Sequence, residues 1–226
     1  EIQKNKEEAL RYLKMAVDHE NINAMHAYAN RLFLGEGIKI NQKEAAKYFK
    51  LTEDKGNVDS MYQYGVMLMN GYGINADCKK AAKYFKMGID QNDEDSKLYY
   101  DLAILKIDDE SQLNKTNAIK HIKFMADNGD DNAMFEYAYI LECGSYGVKM
   151  NKPEAARYYK MSADLGNSKS MNNYGIMLKE GLGIPKNIKE GIRYIEMSAC
   201  QYNTEGMLNY GQMLVEGNII KKETEK

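Results

Sequence analysis

The sequence predicts an all-α fold: a right-handed superhelical α-solenoid of antiparallel helix pairs, with no sheet. Three observations carry this prediction. One phrase recurs six times along 226 residues, at steps of 36 or 37. Each copy holds two stretches whose apolar and small residues recur at spacings of three, four and seven, one face of a helix. Only two Pro occur in the chain, which suits long helices over a loop-rich fold.

The repeat is plainest where residues 35–50 read GEGIKINQKEAAKYFK and residues 70–86 read NGYGINADCKKAAKYFK. Aligned on this phrase, Ala9, Ala45, Ala81, Ala118, Ala155 and Gly191 share a column. Three places on stand Tyr12, Tyr48, Tyr84, His121, Tyr158 and Tyr194. Four places before stand Asn5, Asn41, Asp77, Asn114, Asn151 and Asn187. An Asn or Asp side chain accepts from a free N–H of the first helical turn. Glu8, Glu44, Glu154 and Glu190 follow three residues later, where a capping-box acid belongs. Each Asn or Asp is therefore expected to start a helix of the second type. His121, in a column of Tyr, is expected to be a packing residue.

The other half of the period supplies a first type of helix. Its columns are Met25, Met61, Met134, Met171 and Met207, then Tyr28, Tyr64, Tyr137, Tyr174 and Tyr210. A small residue follows each Tyr (Ala29, Gly65, Ala138, Gly175, Gly211), and Leu32, Leu68, Leu141, Leu178 and Leu214 close the face. Gly inside a helix costs about 1 kcal/mol relative to Ala. Its presence predicts that another helix crosses there at close range.

Paired glycines separate the two helices: Gly35 and Gly37, Gly71 and Gly73, Gly144 and Gly147, Gly181 and Gly183. A phosphate-cradling glycine pair follows a strand and opens a helix directly. These follow a helix, so they read as left-handed C-terminal caps and hinges. Ile38, Ile74, Val148 and Ile184 come next and are expected to pin the turn to the core.

The chain is thus expected to be a single solenoid over 1–226. It divides into a half-repeat at 1–23, repeats at 24–59, 60–95, 96–132, 133–169 and 170–205, and a half-repeat with tail at 206–226. Unit 96–132 is degenerate. It has lost both glycines and carries an acidic run, Asp108, Asp109 and Glu110. The start in mid-pattern suggests a fragment of a longer protein. Met207, Tyr210 and Leu214 are expected to pack inward, and residues after Gly217 to be mobile.

Composition narrows the function. The net charge of −2 gives no basic stripe for nucleic acid, and no apolar run approaches a membrane span. Cys78, Cys143 and Cys200 are odd in number and widely spaced, which favours unpaired thiols in an intracellular reducing compartment. His19, His26 and His121 lie far apart, and no metal spacing or nucleophile signature appears. The expectation is no enzyme, no metal and no cofactor.

The segments SMYQYGVMLMNGYGINADCKKAAKYFKMG and SMNNYGIMLKEGLGIPKNIKEGIRYIEMSA resemble Sel1-like repeats, relatives of the tetratricopeptide repeat. Here Tyr stands where that family has Trp. Some Cys-rich members are associated with hydrolysis of β-lactam rings, but they carry regular Cys pairs that this chain lacks. The resemblance implies an adaptor or scaffold that presents a concave groove to a protein or peptide segment. The alternative is a structural spacer or regulatory arm attached to a catalytic domain such as a kinase. In tetratricopeptide arrays the first helix of each pair lines the groove. Carried over, that places His26, Asn30, Tyr62, Val66, Phe135, Tyr139, Asn172, Ile176, Leu208 and Gln212 in the partner-binding face. Uncovered end units also offer surfaces for self-association.

Overall fold

A computed structural model describes residues 6–216, and every regular element in them is a helix. The twelve are α1 (Lys6–Asp18), α2 (Ile22–Leu34), α3 (Gln42–Glu53), α4 (Val58–Asn70), α5 (Cys78–Ile89), α6 (Asp95–Lys106), α7 (Gln112–Asp127), α8 (Asp131–Cys143), α9 (Lys152–Asp164), α10 (Ser168–Glu180), α11 (Ile188–Cys200) and α12 (Thr204–Val215). The even-numbered helices are of the first type, with the Met–Tyr–small–Leu face on α2, α4, α8, α10 and α12 but not on α6; the odd-numbered helices carry the Ala–Tyr columns, with His121 in α7 and Gly191 in α11 as the departures. The fold is an all-α solenoid of antiparallel helix pairs.

The chain forms two compact units, residues 1–118 and 119–226. In the first, each helix from α1 to α5 packs on its successor, and α4 also touches α6. In the second, each helix from α8 to α11 packs on its successor, and α10 also touches α12.

The expected caps start the second-type helices. Asn41 Oδ1 accepts the Glu44 N–H at 3.2 Å while Asn41 Nδ2 donates to Glu44 Oε2 at 2.8 Å, so the acid bonds the cap's side chain, the Asn41 backbone N–H being taken by the Leu32 carbonyl at 2.8 Å. Asn151 and Glu154 repeat it, at 3.3 and 2.8 Å. Asp77 and Asn187 accept from Lys80 and Glu190. Asn114 departs from the pattern. α7 begins two residues earlier, and the Asn114 N–H donates to Ser111 Oγ at 3.1 Å, so a serine upstream takes the capping place. The cap expected at Asn5 and the tail after Gly217 lie outside the described residues.

The first-type helices have caps of their own. Asn21, Asn57, Asp130, Asn167 and Asn203 each accept a backbone N–H three residues on. α6 has no such bond from Glu94. Both helix types therefore start on a satisfied turn, which lets a linker of a few residues reverse the chain without orphaning buried amides.

The glycine pairs do two jobs. Gly35, Gly71, Gly144 and Gly181 are left-handed C-caps whose N–H groups reach back to the carbonyls of Arg31, Met67, Ile140 and Met177. The second glycine is also set by a neighbouring repeat. A Cβ on Gly73 would lie 2.4 Å from the Gln42 carbonyl carbon, and one on Gly183 would lie 2.7 Å from Lys152 and Pro153. Gly73 and Gly183 thus let their linkers lie on the N-termini of α3 and α9.

Inside each repeat the two tyrosine columns meet. Tyr28 and Tyr48, Tyr64 and Tyr84, Tyr137 and Tyr158, and Tyr174 and Tyr194 form T-shaped pairs at 4.9 to 5.3 Å. Edge-to-face geometry suits the ring quadrupoles. Two of the mid-helix glycines lie at close crossings, as expected: a Cβ on Gly65 would lie 2.7 Å from Phe85, and one on Gly175 would lie 2.7 Å from the Gly191 carbonyl, whereas one on Gly211 would meet nothing within 4 Å. Ile38 and Ile74 pack on the core of the first unit and Ile184 on that of the second. Between repeats, Tyr158 donates to Asp127 and Tyr194 to Asp164, which stitch α7 to α9 and α9 to α11.

Three inward-packing expectations fail. Met207 and Leu214 are exposed, and Gly206 and Met213 are the buried residues of α12. No described helix follows α12 to cover the Met and Leu columns, so only the sides facing α10 and α11 are shielded. Tyr210 is half-buried beside Ile192, Ile195 and Met213. His121 is exposed instead of taking a Tyr-like place in the core.

Candidate protein-binding surface

The ten residues assigned to the partner face all stand on first-type helices, but the structure divides them between the two units. His26, Asn30, Tyr62 and Val66 belong to the first, on α2 and α4. Phe135, Tyr139, Asn172, Ile176, Leu208 and Gln212 belong to the second, on α8, α10 and α12.

In the first unit the polar residues are held by one another. Asn30 Nδ2 donates to His26 Nε2 at 2.8 Å, and His26 Nδ1 bonds Ser60 Oγ on α4 at 2.7 Å. A ring nitrogen that accepts from an amide carries no proton, so the proton sits on Nδ1 and the imidazole is neutral. Ser60 Oγ shares a 2.7 Å bond with Thr52 Oγ1, which donates to the Tyr48 carbonyl. Burial pushes the His26 pKa down, and Asp59 opposes it. Tyr62 stands edge-on to Tyr99 of α6 at 5.0 Å and lies near Phe85. Burial, with the Tyr99 hydrogen bond second, pushes its phenol pKa far up, so it stays protonated. Asn30 and Val66 are half-buried.

The second unit keeps more open. Phe135 packs on Tyr159 at 5.9 Å, and the Lys169 ammonium of α10 lies 5.6 Å from its ring centre. Tyr159 donates to Glu142 at 2.8 Å. Asn172 is 2% exposed, accepts from Asn209 Nδ2 at 2.8 Å and donates to Asn173 at 3.2 Å. Ile176 packs on Ile192, Ile195 and Met213. Tyr139 is 50% exposed and Leu208 60%, and Gln212 is exposed beside them in sequence register.

A rule invisible in the sequence emerges. The residue after each of the first four column Met touches the next first-type helix: His26 reaches α4, Tyr62 α6, Phe135 α10 and Asn172 α12. These four positions stitch neighbouring repeats. The position after the small residue stays freer in Tyr139 and Gln212. The only advance signal was chemical type. His, Tyr, Phe and Asn can all bridge a helix–helix gap, whereas a purely solvated position would tolerate Lys or Glu. Among the described residues no three His, Cys, Asp or Glu side chains gather as a metal set, and Cys78, Cys143 and Cys200 are free thiols.

Comparison with known proteins fits this architecture. The family model for the Sel1 repeat matches residues 1–21, 22–57, 58–93, 131–167 and 168–203, most of the chain. It passes over 94–130, the stretch without hinge glycines. Among solved structures, a Sel1 repeat protein from Oxalobacter formigenes is 23% identical with a TM-score of 0.64, over 97% of this chain and 89% of that one. The protective antigen c5321 of uropathogenic Escherichia coli, which displays an SLR fold, is 21% identical with a TM-score of 0.55, over 98% of this chain and 47% of that one. A comparison with curated proteins finds no match.

Proposed function

Because the chain belongs to the Sel1 repeat family, whose members are in general protein-interaction modules, we propose that it acts as an adaptor that holds a protein segment on its first-type helices. The observation that carries this is the half-exposed Tyr139 beside Phe135 in the second unit, with Leu208 and Gln212 open on α12. An aromatic anchor with amide neighbours is the usual currency of peptide recognition: the ring supplies area and the amides fix register. Lys169 and Glu142 give the surface both signs of charge. That favours a segment of mixed polarity over the uniformly anionic backbone of a nucleic acid. No helix among the described residues is long and apolar enough to cross a membrane. No catalytic step is assigned to the chain.

The structure redirects the test. Tyr62 and Phe135 pack internally, so their loss would damage the fold as well as any contact. Tyr139→Ser with Leu208→Ser removes exposed side chains and leaves those contacts intact. Affinity capture with the wild-type chain, with this double variant and with a Leu165→Ser control separates the readings. A partner retained by the control and lost by the double variant supports the surface. Equal retention by all three removes it.

The spacer reading has one observation in its favour. His26, Tyr62, Phe135 and Asn172 join neighbouring repeats, as a load-transmitting arm requires. A spacer yields no partner lost in the double variant.

A further inference from the structure

We propose that the C-terminal end of α8 seats an arginine side chain of the bound protein segment, with Glu142 as its carboxylate and the Tyr139 and Tyr146 rings beside it. This rests on the adaptor reading and names the chemistry of its partner. On α8, Tyr139, Glu142 and Cys143 are spaced three and four apart, so they share one face. Tyr146 follows in the hinge. A hydrogen bond with the Cys143 thiol holds the Tyr139 phenol above its usual pKa range, and Glu142 and Tyr146 lie near enough to add to this. Both rings are open to solvent, Tyr139 at 50% and Tyr146 at 37% exposure.

Glu142 is half-buried and held in place. The buried Tyr159 phenol donates to its Oε2 at 2.8 Å, which leaves Oε1 for an incoming donor. Among the described residues no Lys or Arg pairs with this carboxylate, and the last turn of α8 holds no basic residue. A helix ends on the negative pole of its dipole, where a cation is favoured. Glu142 adds its charge to that pole, and no basic side chain of the turn offsets it. The hinge differs too. Three hinges place one residue between their glycines, but this one places two, Ser145 and Tyr146. Tyr146 holds φ 56°, a left-handed backbone that is strained for a residue with a Cβ.

The chain itself shows what fits such a group. Arg193 lies 4.9 Å from the Tyr194 ring centre, and its Nε is 3.0 Å from both Glu190 oxygens. Arg157 lies 4.1 Å from the Tyr158 ring centre and 4.0 Å from Glu154. Lys50 joins Tyr84 and Asp54 in the same way, at 5.4 and 2.6 Å. At the end of α8 the rings and the carboxylate are present and the cation is not. Arginine fits better than lysine, because its plane stacks on a phenol ring while its N–H groups reach the carboxylate.

Cys143 supplies a reporter. It is exposed beside Tyr139, and Cys200, at the end of α11, is an exposed thiol outside the group. Short synthetic peptides on one Ala–Leu–Gln frame, carrying Arg, Gln or Glu at the same places, are added to the full chain. Iodoacetamide alkylation of each cysteine is timed by peptide mapping against the peptide-free chain. The Arg peptide is expected to slow Cys143 and leave Cys200 unchanged, with the Gln and Glu peptides protecting Cys143 far less. Glu142→Gln keeps an acceptor for Tyr159 but loses the charge, and is expected to weaken the Arg peptide about tenfold. Glu180→Gln removes an equal charge at the end of α10 and is expected to leave that affinity unchanged. Unchanged circular dichroism shows that both variants fold. Equal protection by all three peptides overturns the proposal. So does a Cys143 that the Arg peptide fails to protect, equal slowing of both cysteines, or equal loss in the two variants. Capture with the Tyr139→Ser, Leu208→Ser double variant judges the adaptor surface separately, so a failed arginine seat and a failed surface are told apart.

Discussion

Gly56 and Gly73 both hold a positive φ, 86° and 70°, in different surroundings. A Cβ on Gly56 meets nothing within 4 Å, so Gly56→Ala carries only the left-handed backbone strain, about 1 kcal/mol. A Cβ on Gly73 meets the backbone of Gln42 and Lys43 at 2.4 to 2.7 Å. Gly73→Ala adds overpacking to the strain and is expected to destabilise by roughly 3 kcal/mol. Urea denaturation of both variants checks the ordering, and equal midpoints would remove the assigned role of the second hinge glycine. Glu20, Asn92 and Tyr202 take the left-handed position that Gly56, Gly129 and Gly166 fill elsewhere. Tyr202→Gly should relieve strain there and raise the midpoint. His26 adds a pH dependence. Its folded pKa lies below the unfolded value of 6.5, so the unfolded state binds the proton more readily. That stability is fully present above pH 6.5 and declines as pH falls from there toward the folded pKa. His26→Gln is expected to flatten this decline between pH 7.5 and 5. A decline that persists unchanged in the variant assigns it to other groups.

At the scale of the helix, the caps set both the start of each element and much of its stability. Asn41→Ala removes both side-chain bonds to Glu44, and Asn57→Ala removes the bond to Ser60 at 2.8 Å. Each is expected to cost about 1 kcal/mol, read as a lower denaturation midpoint with an unchanged slope. If Asn41→Ala abolished partner binding at unchanged stability, the residue would be a ligand instead of a cap. The capping column was legible because Asn or Asp followed by Glu at the third place is a local signal. The second set of caps was equally regular, four places before each column Met, but is not followed by a capping-box acid. Asn114 misled because Ser111, an equally good cap, stands three residues before it. The small-residue column correctly foretold the close crossings at Gly65 and Gly175. It could not foretell the open space at Gly211, because burial on a terminal helix depends on what lies over it. The stitching by His26, Tyr62, Phe135 and Asn172 was hidden for a similar reason. A column that looks variable in type is fixed only by the geometry of the next repeat.

Across the whole molecule, stability in a repeat array is a sum of unit terms and nearest-neighbour terms. The division between the two compact units falls at Ala118 and Ile119, within α7. This stretch has weak local support. α6 starts without a side-chain cap bond and ends at Ile107 in extended backbone, where α2, α4, α8 and α10 end on a left-handed glycine. It also lies in the segment 94–130 that the repeat family's model passes over. Local unfolding follows such differences, since helix ends without satisfied amides open at lower free energy. Native-state hydrogen exchange should therefore show the amides of α6 and the start of α7 exchanging ahead of those in α3–α5 and α9–α11. Asn57→Ala, which weakens the first unit, is expected to speed exchange throughout α3–α5 while protection in α9–α11 keeps its wild-type value. Asn167→Ala should do the converse through loss of its bond to Ser170 at 3.1 Å. Acceleration of all helices alike by either substitution would mean that one cooperative block spans the degenerate repeat, and that the loss of its glycines has not loosened the coupling along the chain.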